Sequence, residues 1–248
     1  MEIFSLNIDG GKGHSVPVWH NIKGDERLVL LVCHGFCSEK HSGTPHLLAE
    51  ALADLQIGVL SMDFPGHGEH PLDGDGLSVD NCLADVKAAE AYIQQLAPNA
   101  EIGYFGSSFG GYILLLFAAL GQPVGKRLML RSGAVDMPQI FRADTTAEQW
   151  AELEAQGWYE LGWDRKLRIY PQLYADFEAH DAFELYLPGM MRLLLIHGTE
   201  DAEVPYASAG RFAAEKGALL ITVEGGGHRL ERDGDKELLI AAARALFA

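Results

Sequence analysis

The sequence predicts an α/β protein, a mainly parallel sheet of eight strands with helices on both faces. Three observations predict it. Short apolar runs alternate with stretches of helical spacing along most of the chain. The central runs are apolar at consecutive positions, as in strands covered on both faces. The 248 residues, 48% hydrophobic and 22% charged, can fill a sizeable core and are unlike a disordered chain.

The elements follow in order. Residues 2–9 and 15–20 read as two strands joined by the turn Gly10-Gly11-Lys12-Gly13. Residues 27–33 form a leucine- and valine-rich strand that ends at His34-Gly35. Thr44-Pro45 opens a helix to about residue 55, since proline suits a first helical turn. Residues 57–63 are the next strand, and a loop rich in Gly, His and Asp follows to Gly76. Val79, Leu83, Val86, Tyr92 and Ile93 recur at helical spacing over residues 79–96, with Pro98 just beyond. Residues 101–105 are a strand, 109–120 a strongly apolar helix and 127–130 a strand. Strands at 192–196 and 219–223 enclose a helix at about 206–216, and a helix at 235–247 closes the chain. The rhythm breaks once, between the sixth and seventh strands. Residues 136–190 carry Trp150, Trp158 and Trp163 together with many Tyr and Phe, too long a stretch for a connection. The expected organisation is one domain over 1–248 with a lid inserted at 136–190.

Charge and composition exclude several classes. Lys plus Arg number 19 against 35 Asp plus Glu, a net charge of −16, which repels a phosphate polyanion; nucleic acid is not an expected partner. No apolar run approaches the roughly 20 residues of a membrane span, and the N-terminus lacks the basic start and apolar stretch of a secretory signal. A soluble, cytoplasmic protein without a membrane partner is expected. Cys33, Cys37 and Cys82 do not make a disulfide framework, and Cys33-His34-Gly35-Phe36-Cys37 lacks the second ligand pair of a zinc knuckle. His67-Gly68-Glu69-His70 lies in a glycine-rich loop, not on a helix face that would aim both imidazoles at one ion. Asp73 and Asp75 read as a solvated loop. No metal and no organic cofactor are expected.

The sharpest local signal is Gly106-Ser107-Ser108-Phe109-Gly110, which fits G-x-S-x-G between a strand and an apolar helix. Only Ser108 has glycine two residues away on either side. An alcohol needs a base to attack. His228, after three glycines that follow the last strand, is the base candidate. The acid that would orient it belongs after the preceding strand, where His197-Gly198-Thr199-Glu200-Asp201-Ala202-Glu203-Val204-Pro205 offers Asp201, with Glu200 and Glu203 as rivals.

Serine, acid and histidine in this order after three late strands resemble an α/β-hydrolase, over nearly the whole chain. Residues 197–205 meet the family pattern H-G-x-x-D-x-x-V-P in full, and motif position favours Asp201 over its rivals. His34-Gly35-Phe36 resembles the oxyanion-loop H-G-[FW] segment, and Asp63-Phe64-Pro65-Gly66-His67-Gly68 the D-x-x-G-H-G turn. The resemblance implies an α/β-hydrolase fold, a triad of Ser108, Asp201 and His228, and an oxyanion site made by the backbone N–H groups of Phe36 and Phe109. It gives His34 and His67 structural roles in their turns, and leaves the side chains of Phe36 and Phe109 free to shape an acyl pocket.

A helix at 146–156 followed by a hairpin reaching residue 170 makes the lid similar to that of bacterial cinnamoyl or feruloyl esterases. Trp158, Tyr159 and Trp163 are then candidate substrate-binding residues, although aromatic side chains also hold a small lid together. The lid's many Asp and Glu favour a neutral ester over a highly anionic substrate such as an acyl-CoA. Arg131, Arg142, Arg165, Lys166 and Arg168 are the residues able to reverse that locally. The expected activity is serine carboxylic-ester hydrolysis (class EC 3.1.1) of short-chain or aryl acyl groups. The alternatives are a peptidase or thioesterase with the same triad, and a ligand-binding protein on a hydrolase scaffold. A small ester is the expected partner, and a homodimer is a possible assembly.

Overall fold

The computed structural model describes residues 2–162 and 165–248. A hairpin of β1 (Phe4–Asp9) and β2 (Ser15–His20) leads into β3 (Leu28–Cys33), whose six residues are all buried. None of those six side chains carries a charge, so the strand can be covered on both faces at no desolvation cost. There follow α1 (Gly43–Ala51), β4 (Ile57–Met62), α2 (Val79–Leu96), β5 (Glu101–Ser107), α3 (Phe109–Leu120) and β6 (Arg127–Arg131). After β6 the chain forms α4 (Met137–Asp144), α5 (Ala147–Gln156), β7 (Tyr159–Leu161), β8 (Leu167–Ile169), α6 (Pro171–Ala179) and α7 (Ala182–Leu185). It returns to the sheet as β9 (Arg192–Gly198), then α8 (Tyr206–Lys216), β10 (Leu219–Val223) and α9 (Asp235–Phe247).

Eight strands make the main sheet in the order β1-β2-β4-β3-β5-β6-β9-β10. From β4 to β10 all neighbours are parallel, whereas β1–β2 and β2–β4 are antiparallel, so the sheet is mixed at one edge. The strand order reverses at β3, which pairs with β4 on one side and β5 on the other. Crossovers leave β3 and β5 toward opposite faces there, which opens a crevice at the carboxyl ends of those strands.

Local signals place the ends of several helices. Ser78 Oγ accepts from the Asn81 N–H at the start of α2, and Thr146 and Gln149 form a reciprocal capping box at α5. The single helix expected to about residue 55 instead stops at Ala51, and a 3₁₀ turn at Ala53–Leu55 follows. Gln56, at φ 54°, then turns the chain into β4. The first nine residues of α3 are all buried, consistent with its apolar sequence.

The core lies in two clusters, one on each face. Trp19, Leu48, Phe105, Met129, Leu239 and Phe247 belong to the face covered by α1 and α9. The opposite cluster includes Val86, Phe109, Tyr112 and Phe212 from α2, α3 and α8, and it continues into Phe141, Tyr159, Tyr174 and Phe177 of the segment between β6 and β9. In that segment β7 and β8 pair as the expected hairpin after α5, with α4, α6 and α7 besides.

Candidate active site

The turn between β5 and α3 puts Ser108 at φ 48° and ψ −116°, a conformation that a non-glycine residue holds only when its surroundings impose it. The glycines around it allow the close approach. A Cβ on Gly110 would lie 2.3 Å from the Cys33 carbonyl oxygen, and one on Gly106 would lie 2.6 Å from Gly111 Cα. Strand β3 and helix α3 therefore meet backbone to backbone just under Ser108. The Ser108 N–H donates to the Arg131 carbonyl at 3.0 Å, which ties the turn to the end of β6.

Across the crevice, residues 34–40 are pinned from below. His34 Nδ1–H donates to the Gly35 carbonyl at 2.7 Å, and its Nε2 accepts the Phe64 N–H at 3.2 Å. Asp63 accepts from the Lys40 N–H at 2.7 Å, from Lys40 Nζ at 3.0 Å and from the Glu69 N–H at 2.9 Å. Burial pushes the Asp63 pKa up, but these hydrogen bonds from the Glu69 and Lys40 N–H groups and from Lys40 Nζ hold it below the usual carboxylate value. Lys40, fully buried, also reaches Glu69 Oε2 at 2.6 Å. The H-G-F segment and the D-x-x-G-H-G turn thus lock each other. Outside helices and strands, no backbone hydrogen bond among the described residues uses the N–H of Phe36. The Phe109 N–H, first in α3, likewise has no backbone acceptor in the turn.

His228 follows β10, and its Nδ1 lies 2.9 Å and 3.0 Å from the two carboxylate oxygens of Asp201. Asp201 is the residue brought to it; Glu200 is not, and Glu203 approaches the other nitrogen, with Oε2 3.5 Å from His228 Nε2. Asp201 Oδ1 accepts the N–H groups of Glu203 and Val204 at 3.0 and 2.8 Å, and Oδ2 lies 3.1 Å from His197 Nε2. Burial works to raise its pKa, yet the hydrogen bonds from His197, His228 and Val204 hold it well below the usual carboxylate range. An anionic Asp201 keeps the proton of neutral His228 on Nδ1 and leaves Nε2 able to accept one. His197, the first residue of the H-G-x-x-D pattern, is the partner that the motif reading left without a role. No hydrogen bond among the described residues joins Ser108 Oγ to His228; the two side chains line one cavity.

That cavity has a volume of about 530 Å³, and Phe36, Thr44, Arg131 and Leu239 also line it. Tyr159 and Trp158 do not line it. Tyr159, 1% exposed, is packed in the core of the segment, its hydroxyl 2.9 Å from that of Tyr174. Trp158 carries the Arg168 guanidinium 4.5 Å over its ring. Trp163 lies outside the described residues. The Phe109 ring is also core, 1% exposed and against Phe36, Phe64, Tyr112 and Phe177. Of the two phenylalanines named for the oxyanion site, only Phe36 lines the cavity, and its ring packs on His67, Phe109 and Phe141. A second cavity of about 450 Å³ is lined by Cys37, His67, Glu69, Arg165 and Leu167, with none of the three candidate catalytic residues.

Burial raises the Cys37 thiol to about 11 and that of Cys33 further still, so neither offers a thiolate. Among the described residues, one group can converge on an ion: His14, His70 and Asp85, whose ligand atoms lie within 4.8 Å of one another. His70 Nδ1 accepts the Leu72 N–H at 3.1 Å, so its proton sits on Nε2, the atom facing Asp85. His70 Nε2–H and His14 Nε2 lie 3.2 and 2.7 Å from the two Asp85 oxygens. That proton placement suits a carboxylate held between two imidazoles, and it opposes a metal on His70 Nε2.

A family model described as alpha/beta hydrolase family matches residues 29–240. Among curated proteins, no relative matches the sequence. Several solved structures are similar. A protein of Agrobacterium vitis S4 is 20% identical with a TM-score of 0.83, covering 100% of this chain and 99% of that one. Est1E from Butyrivibrio proteoclasticus, in a structure with ferulic acid bound, is 21% identical with a TM-score of 0.81 over 98% of this chain and 97% of that one. The esterase domain of a Rhodothermus marinus protein is 20% identical with a TM-score of 0.72, over 100% of both chains. At these identities the likeness is one of fold.

Proposed function

The chain belongs to the alpha/beta hydrolase family, and from that premise we propose that it is a serine hydrolase of carboxylic esters with Ser108 as nucleophile. The observation that carries the reading is the placement of a strained serine in the same cavity as an imidazole whose far nitrogen is bonded to a buried carboxylate. Ser108 Oγ attacks the ester carbonyl while His228 Nε2 takes its proton, and the resulting imidazolium is stabilised by Asp201. The imidazolium then protonates the departing alcohol. Water, activated by the same His228, releases the acyl group from Ser108. The N–H groups of Phe36 and Phe109 receive the developing oxyanion, each worth roughly 3–4 kcal/mol to the transition state. The residues between β6 and β9 act as a lid in one domain, in keeping with their place between the sixth and seventh strands of the main sheet. Short-chain or aryl acyl groups fit the about 530 Å³ cavity, and the ferulic acid bound to Est1E favours the aryl class.

The test is a set of initial rates on nitrophenyl esters from acetate to palmitate and on methyl ferulate, for wild type and Ser108→Ala. Turnover by wild type that falls at least about 10³-fold in the variant supports the reading. Turnover that survives Ser108→Ala removes Ser108 as the nucleophile. No turnover on any ester overturns ester hydrolysis and moves the weight to amides, thioesters or ligand binding.

A further inference from the structure

One cation beside Ser108 makes no direct ion pair among the described residues, and the nearest acids that act on it, Glu231, Asp201 and Glu203, do so from a distance. Arg131 ends β6, in register with Ser107 of β5 and Ile196 of β9. Met129, two residues earlier, packs in the α1–α9 core, so strand alternation brings Arg131 out on that face, at the edge where the cavity opens. Its Nη1 donates to Thr44 Oγ1 at 2.9 Å and approaches the Arg229 carbonyl at 3.4 Å. Its Nε is buried and has no hydrogen-bond partner. Arg127, Arg142, Arg211, Arg232 and Arg244 each reach a carboxylate within 4.0 Å, and no such pair forms at Arg131 among the described residues. Burial lowers its pKa to about 10, which leaves it a cation at neutral pH. Arg229 and Lys236 add two exposed cations to the cavity wall, and Glu203 and Glu231 two exposed carboxylates.

A half-buried guanidinium whose Nε is buried and unpartnered, and whose neighbouring Glu203 and Glu231 are exposed, has directional bonding capacity left for an acid brought from outside. We propose that Arg131 binds a carboxylate of the substrate, so that the preferred ester is an anionic one, carrying a free carboxylate on the part that lies against α1 and α9. The inference rests on the reading of Ser108 as the nucleophile. It also reverses the preference for a neutral ester that the Asp and Glu of residues 136–190 suggest: none of those acids lines the cavity, and Arg131 does.

Two matched pairs test it and also tell on which half of the ester the carboxylate sits. Monoethyl adipate against diethyl adipate carries it on the acyl half. 4-Acetoxybenzoate against its methyl ester carries it on the alcohol half. Rates are divided by those for hydroxide, to remove intrinsic reactivity. In at least one pair, wild type is expected to favour the carboxylate member by about 10- to 100-fold in kcat/KM, mostly through KM. Arg131→Met should abolish that ratio, and Arg131→Lys should retain part of it.

Equal rates within both pairs for wild type overturn the inference, and this measurement needs no variant. A ratio that persists in Arg131→Met, or a loss shared equally by both members, also overturns it, the latter by showing that Arg131 only braces Thr44 and residue 229. Failure of the Ser108 reading looks different, as no turnover in either pair or turnover that survives Ser108→Ala.

Discussion

The two sides of Ser108 are built from opposite materials. Toward α1 and α9 lies an open cavity with Thr44, Arg131 and His228 in its wall. Toward α3 and the segment between β6 and β9, rings fill the space: Phe36, Phe109, Phe141 and Phe177 stack edge to face or tilted, with centroids 5.1 to 6.1 Å apart. Such ring pairs add to stability beyond the area they bury, and of the four residues only Phe36 lines the cavity. The aromatic wealth of residues 136–190 is thus largely spent on packing, and the cavity that holds Ser108 and His228 opens on the polar side. Counting aromatic residues near an active site does not locate the pocket; finding what they touch does.

Four substitutions break or sharpen this contrast. The largest effect is expected on the polar side, where Asp201→Asn should lower kcat by about 10⁴-fold by releasing the tautomer of His228, measured on whichever ester turns over best. On the ring side, Phe177→Ala should cost about 3–5 kcal/mol in urea unfolding while the acyl-chain ranking stays as in wild type. A shift of that ranking toward bulkier acyl groups would show that the rings do line a pocket and would end the contrast.

Gly110→Ala acts where the two sides meet. Its Cβ would press on the Cys33 and His34 carbonyls at 2.3 and 2.5 Å, so a loss of about 1–3 kcal/mol is expected together with a lower kcat. The last effect concerns pH. Burial lowers the pKa of His67 from 6.5 to about 3, so between these values the unfolded chain binds a proton that the folded one refuses. Stability should therefore fall as pH drops from 6.5 toward 3, by up to about 1.4 kcal/mol per pH unit from this residue. His67→Gln should flatten that part of the profile in thermal melts from pH 7 to 4.

What could be read from the sequence depended on whether the information was local. Strand and helix alternation gave the eight strands, and glycine spacing gave the turn at Ser108, because both are set within a few residues. Asp201 could be told from Glu200 and Glu203 by a pattern nine residues long, and the bond to His228 agrees with it. Arg131 was visible only as one of five cations near the substrate. Its place depends on the register of β6 with β5 and β9 and on how far the acids of the cavity wall stay from it, which no local window contains. The same holds for Tyr159 of β7: its hydroxyl partner Tyr174 comes from helix α6, and only the folded segment shows that the ring faces inward. The end of α1 at Ala51 was missed because the tertiary turn at Gln56 overrides the helical spacing.

The chain leaves the sheet after Arg131, at the carboxyl edge, and re-enters at Arg192, which lies opposite Arg127 at the amino edge of the neighbouring strand. Joining two parallel neighbours in this way takes about a dozen residues. Residues 132–191 are several times that length, and beyond carrying the chain from one edge to the other they cover part of one face of the sheet. For protein engineering this interval is a cassette with fixed end points. A substitute spliced in at 131 and 192 has to span the same two edges, supply again the N–H that Ala134 donates to the Ser108 carbonyl, and replace the Phe141 and Phe177 rings that pack on Phe36 and Phe109.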